Sequence, residues 1–217
     1  LKNQSDIQPD TIHGDTQSQS EAVFGLAYLL GIKLMPRIRG IKHLKLYRIS
    51  KEDHFKHIDT LFKDTIKWEL IESCLPDMLR IALSVKAGRI NASTILRRLG
   101  TYSRKNKLYL ALRELGRVVR TVFLLQYIAE AEIREMIQAA TCKSEEFNDF
   151  LQWVMFGNDG LIAENVRHEQ QKIIKYNHLV ANMIILYNVV TMTKALGELA
   201  EEGYPIDPEV LAGTSPF

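Results

Sequence analysis

The sequence predicts an α/β chain whose strands gather near its beginning and whose remainder is helical. Three observations carry this. Residues 10–14, 33–39 and 44–49 are the segments with strand character; from Asp53 onward the apolar spacing becomes that of helices. The chain has 217 residues and is 46% hydrophobic, enough for one sizeable core or two small ones. Three strand candidates are too few for a stable sheet of their own, so further strands are expected beside them.

Residues 1–12 are polar and read as an incoming connection. Ile12 to Asp15 reads as the end of a buried strand that delivers the carboxylate of Asp15 into a polar Thr-Gln-Ser-Gln-Ser turn. Ser18 and Glu21 have the capping-box spacing, so a helix is expected to begin near Ser20. Residues 22–30 are apolar on nearly every face, the pattern of a helix sunk in a core, and Gly31 ends it. Ile32, Leu34 and Ile38 then alternate with Lys33, Met35, Arg37 and Arg39, the period of a half-buried strand with a basic outer face.

Further on, residues 68–85 form a helical stretch that Pro76 is expected to kink or divide. Asn91 or Ser93 can cap a short helix that Gly100 ends. In the next helix Leu108, Leu112, Leu115, Val119 and Val122 make a narrow stripe, with Arg113, Arg117 and Arg120 opposite it. With Arg97, Arg98, Arg104, Lys105 and Lys107 just before, this region has a local phosphate-binding footprint, although the formal net charge of the chain is only +2. A helix over 130–140 leads to Ser144, which can cap another whose stripe is Phe147, Phe150, Leu151 and Val154. The last helical stretch is 161–199. His168 and His178, ten positions apart, read as satisfied helix histidines rather than metal ligands. Cys74 and Cys142 match no zinc spacing and read as reduced packing residues of a cytoplasmic protein. The apolar run 179–190 is interrupted by Asn182 and Asn188, so no segment is expected to span a membrane.

Asp15 with Thr16, the FGLAYLLG helix and the PRIRG that follows resemble the second-aspartate region of Tn-three-family replicative transposases. Residues 96–128 are similar to the helical insertion of that family, and Glu169 to Gln171 with Leu186 to Asn188 resemble a later family stretch. The resemblance implies the C-terminal part of a DDE catalytic domain, a partial RNase H-like core with a large all-helical insertion and C-terminal helices. Residues 1–50 would then be core, 51–140 insertion, and 141–217 the return to the core. Asp15 would be the second catalytic aspartate. Aligning on Lys143 and the downstream FGN puts the glutamate at Glu145, with Glu146 as the alternative, since helical periodicity does not choose between them.

The implied function is metal-dependent DNA strand cleavage and strand transfer at transposon ends, with Asp15 and Glu145 as ligands in a two-ion Mg²⁺ or Mn²⁺ site. Carboxylates suit such ions because hard cations take oxygen ligands. The first aspartate is expected upstream of Leu1, Asp6 and Asp10 being too close to Asp15 for the family's arrangement, so the chain alone is expected to be inactive. Partners implied are DNA and a second copy of the full-length protein. Action would be in the cytoplasm, at the nucleoid. Lys33, Arg37 and Arg39 beside the site, and Arg104, Lys105, Arg113, Arg117 and Arg120, are the expected DNA-phosphate contacts. The alternative is a non-catalytic helical DNA-binding or assembly module.

Overall fold

The structure, a computed structural model, describes residues 9–40, 42, 44–101, 106–155 and 160–217. Asp6, Arg104 and Lys105 lie outside the described residues, as does the FGN used to align Glu145. The chain divides into two compact units, Leu1–Thr141 and Cys142–Phe217.

The first unit begins with strand β1 (Thr11–Gly14), a four-residue 3-10 turn (Thr16–Gln19), helix α1 (Glu21–Leu29) and strand β2 (Lys33–Pro36). β1 and β2 pair in parallel, with Thr11 opposite Lys33 and Gly14 opposite Pro36. Parallel neighbours require a crossover between them, and the turn plus α1 supplies it. α1 is buried at Ala22, Phe24, Gly25 and Leu26, while Tyr28 points outward.

β2 is shorter than the alternation suggests and is not half-buried. Leu34, Met35 and Pro36 are all buried, because an apolar layer covers both faces. Arg37 and Arg39 follow the strand instead of sharing its outer face with Lys33.

A second parallel pair joins β3 (Leu46–Arg48) to β4 (Phe62–Thr65). β4 lies where only helix was expected. Its sequence, FKDT, buries Phe62 alone, so it carries no alternation from which a strand could be read.

Helix α2 (Trp68–Lys86) runs unbroken through Pro76. Its buried residues Ile71, Cys74, Met78, Ala82 and Val85 recur at helical spacing, so packing holds the helix on both sides of an exposed proline that removes one backbone donor. Helix α3 (Ala92–Thr101) follows, with the Asn91 carboxamide accepting from the Ser93 amide.

Helix α4 (Lys107–Ala129) is capped by Asn106 and is the central element. Ala111 and Leu112 join Leu26, Leu30, Met78 and their neighbours in one apolar cluster. Phe123 and Leu124 join Phe24, Leu34, Met35 and Ile137 in another. Val122, placed by periodicity on the buried stripe, is exposed.

α1 and α4 meet backbone to backbone. A Cβ on Gly25 would lie 2.3 Å from the carbonyl oxygen of Leu112, and one on Gly116 would lie 1.6 Å from that of Glu21. Only glycine permits this approach.

Helix α5 (Ala131–Val154) is continuous through Ser144, so Ser144 does not begin a helix and Glu145 and Glu146 sit in mid-helix. Within the second unit, the stripe of Phe147 and Phe150 packs on Phe217, with ring centroids 5.7 and 5.3 Å apart. Helix α6 (Arg167–Glu201) and the short α7 (Pro208–Ala212) complete it. Asn177 donates to the Leu151 carbonyl and Asn188 to that of Pro216.

Ala181 is the buried residue of α6, while Tyr176, Val180, Met183, Tyr187 and Val190 are exposed. By length and composition α6 could cross a membrane, which the reading from its two asparagines does not anticipate. The same properties suit a helix enclosed by protein.

Candidate active site

The carboxyl edge of the β1–β2 pair is where an open parallel arrangement presents functional groups. Gly14 and Pro36 form its last rung, and the Arg37 amide donates to the Gly14 carbonyl at 2.8 Å. Asp15 and Arg37 therefore follow side by side. Asp15 is exposed; it caps the 3-10 turn by accepting the Thr16 amide on Oδ1, while the Ser18 amide donates to its carbonyl at 2.8 Å. His13 precedes it by two positions, on the same side of extended backbone, with Nδ1 buried and lacking a hydrogen-bond partner among the described residues. Lys33 and Arg39 are exposed and Arg37 is half-buried.

Glu145 and Glu146, in the second unit, are both exposed on α5. Neither opens a helix, so helix geometry does not distinguish them.

Arg113, Arg117 and Arg120 do share one side of α4, but that side is not a solvent-facing ridge. All three guanidinium groups close on Glu21, whose side chain is only 10% exposed. Arg113 Nη2 donates to Oε2 at 2.8 Å, Arg117 Nε to the same oxygen at 3.2 Å, and Arg120 Nη2 to Oε1 at 2.9 Å. The Tyr47 hydroxyl adds a bond to Oε1 at 3.0 Å, and the Arg117 guanidinium lies 4.7 Å from the centre of the Tyr47 ring. Buried Glu114 pairs with Arg117.

Glu21 is thus diverted from the capping box. The Ser20 side chain makes no cap hydrogen bond either, and its backbone carbonyl accepts the amides of Val23 and Phe24.

Burial pushes the Glu21 carboxyl upward, but the Arg113 hydrogen bond, the charges of Arg117 and Arg120 and the Tyr47 hydroxyl outweigh it and hold the group below the ordinary glutamate value. Burial and the neighbouring Glu21 charge push the Tyr47 hydroxyl up. Burial works against the charge of Arg117, yet Glu21, Tyr47 and Glu114 raise its pKa.

The sequence contains every member of this cluster but no sign that they meet. Glu21 has the first-turn position of a capping residue and the arginines have the spacing of a surface ridge. Glu114, three positions before Arg117, is the one acid that local spacing sets against the arginines, and Tyr47 carries no local signal.

Among the described residues there is no group of three or more His, Cys, Asp or Glu side chains that could hold a metal. Asp15 has the hard-oxygen chemistry of one Mg²⁺ ligand, which fits part of a two-ion site and not the whole of one.

An α/β domain with a parallel strand pair presenting an aspartate at its carboxyl edge falls within the broad class that binds ligands at strand ends. The family is specific: the chain belongs to the Tn3 transposase DDE domain family, matched over residues 1–217. It is 35% identical over its whole length to the transposase for transposon Tn501 of Pseudomonas aeruginosa, covering 22% of that protein. Over 90% of its length it is 34% identical to the transposase for transposon Tn1546 of Enterococcus faecium, covering 20% of it. It is 31% identical to the transposase for transposon gamma-delta of Escherichia coli K12, again covering 22%. The chain spans about a fifth of the length of these curated relatives.

Proposed function

We propose that this chain is the part of a transposase catalytic domain that carries two of its three acids, Asp15 and Glu145, in an RNase H-like core, and that the complete protein cleaves and joins DNA strands at transposon ends. The observation that carries this reading is the exposed Asp15 carboxylate at the carboxyl edge of β1–β2, in a chain matched throughout by the DDE domain family.

Asp15 and Glu145 would each supply carboxylate oxygens to Mg²⁺ or Mn²⁺. Such a pair of ions activates the attacking oxygen and steadies the leaving one in an in-line displacement at phosphorus. The remaining acid would come from sequence outside this chain, so the 217 residues alone would not transfer strands. Arg37 and Arg39 beyond the carboxyl end of β2, and Lys33 at its opposite end beside Thr11, would hold DNA phosphates as contacts that position the duplex without reading sequence. The arginines of α4 are left out of this role because Glu21 engages them. The long apolar face of α6 suits enclosure within the larger protein, and pairing of two transposon ends suits a dimer.

The test is cleavage of transposon-end DNA by the full-length protein with Mg²⁺. Asp15→Asn should abolish cleavage while leaving end binding intact, and Glu145→Gln should do the same. Loss with Glu146→Gln but not Glu145→Gln would move the role to Glu146. Undiminished cleavage by Asp15→Asn would overturn the assignment.

A further inference from the structure

The turn that follows Asp15 has little to hold itself in place. Its residues, Thr16 to Gln19, are all polar, and it is one 3-10 turn long. A working carboxylate needs to be held within about 0.5 Å and roughly 10–20° by surrounding groups. Those groups come from elsewhere in the unit.

At the front of the turn, Asp15 accepts the Thr16 amide on its side chain and the Ser18 amide on its carbonyl. Beneath it, Gly14 leaves room for Ser18, whose Oγ would lie 2.5 Å from a Cβ at position 14. At the back, Arg120 donates from Nη1 to the Gln19 carbonyl at 3.1 Å and from Nη2 to Glu21 Oε1 at 2.9 Å. One guanidinium therefore grips both sides of Ser20, where the turn becomes α1. Glu21 is itself held from other directions by Arg113, Arg117 and Tyr47, and the Gly25–Gly116 contact fixes how near α1 stands to α4.

We propose that Arg120, oriented by Glu21 and its cluster, is a positioning residue for Asp15: it fixes the far end of the turn whose capping residue bears the carboxylate. It acts through Gln19, Ser20 and Glu21.

Two features distinguish this from an ion pair that serves stability alone. The bond to the Gln19 carbonyl is unnecessary for neutralising Glu21. Arg120 also keeps its Nε buried without a hydrogen-bond partner among the described residues, an arrangement with an energetic cost that a looser, solvated arginine would avoid. A buried ion pair is by itself weak evidence for a contribution to stability.

The inference rests on the catalytic reading above, and its test separates the two. In the full-length protein, hydrogen exchange at the Thr16 and Ser18 amides is measured beside cleavage kinetics for Arg120→Gln and Arg120→Lys. The glutamine removes the charge and the double grip, whereas lysine restores the charge with a single ammonium. Arg120→Gln should speed exchange at both amides about tenfold while exchange in α4 stays within about twofold. It should lower kcat for cleavage on the order of 10- to 100-fold, as loss of positioning does, with KM for DNA within about twofold. Arg120→Lys should fall between it and the parent in both readouts.

If Arg120→Gln fails to unfold cooperatively, the lysine variant alone decides. Unchanged exchange at Thr16 and Ser18 in a folded variant overturns the positioning role, as does faster exchange with undiminished kcat. Asp15→Asn serves as the control: if it cleaves normally, the catalytic reading falls, and amide exchange still decides whether Arg120 holds the turn.

Discussion

The arginines of α4 and the basic residues at the two ends of β2 differ in what answers their charge. Arg113, Arg117 and Arg120 converge on one internal carboxylate, with Arg120 only 11% exposed. Lys33, at the start of β2, and Arg39, beyond its end, stand in solvent. Both sets are short runs of positive charge in the sequence, so spacing alone does not determine their role. The determining feature is a partner brought from far away in sequence: Gly25 and Gly116 let α1 lie on α4, and Glu21 arrives with it. Charge answered by a buried carboxylate joins α1 to α4, whereas Lys33 and Arg39 face solvent.

The largest effect that would break this contrast comes from Gly116→Ala. Its Cβ would lie 1.6 Å from the Glu21 carbonyl oxygen, so the helices must part. The loss should be about 3 kcal/mol, the upper range for overpacking, read from urea unfolding. Gly197→Ala on α6, with nothing within 4 Å, should instead gain up to about 1 kcal/mol from helix propensity. Similar losses at the two positions would mean that the close approach of α1 to α4 does not matter.

A smaller effect lies in the pH dependence of stability. The folded pKa of Glu21 is held below its unfolded value, so its contribution is complete above about pH 4.3, the ordinary glutamate value, and is lost as pH falls through the folded value. Glu21→Gln should remove that part of the acid slope, so the stability curves of variant and parent should converge on acidification. Parallel curves would show that the carboxylate is not held by the arginines.

The smallest effect on folding belongs to the outer set. Lys33→Ala with Arg39→Ala should change stability by no more than about 0.5 kcal/mol. The slope of log affinity against log salt for duplex DNA should fall by about 0.9 for each phosphate that is no longer neutralised. An unchanged slope would leave these residues as ordinary solvated surface.

Much of the crossover was readable from sequence because it is local. The carboxylate at a strand end, a core helix starting at Glu21 and ending by Gly31, and a following strand all rest on patterns within a few residues. Failures arose where a distant partner overrode a local pattern. Ser18 and Glu21 have capping-box spacing, but Glu21 finds stronger partners across the unit. Met35 alternates with apolar neighbours, yet both sides of β2 are covered. Pro76 sits on the exposed side of a helix held by its other face, and β4 has a single buried residue. At Glu145 the local signals point two ways: Ser144 offers a cap, but α5 passes through it. The assignment of that acid therefore rests on family alignment rather than on helix geometry.

The outward face of α6 has a practical consequence. Tyr176, Val180, Met183, Tyr187 and Val190 lie three or four positions apart, so they make one greasy strip along the helix. A contiguous strip of this kind is an aggregation hazard when nothing covers it. Material prepared as these 217 residues should therefore be handled with a solubilising fusion or at low concentration, and its self-association should be measured before any DNA-binding experiment is interpreted.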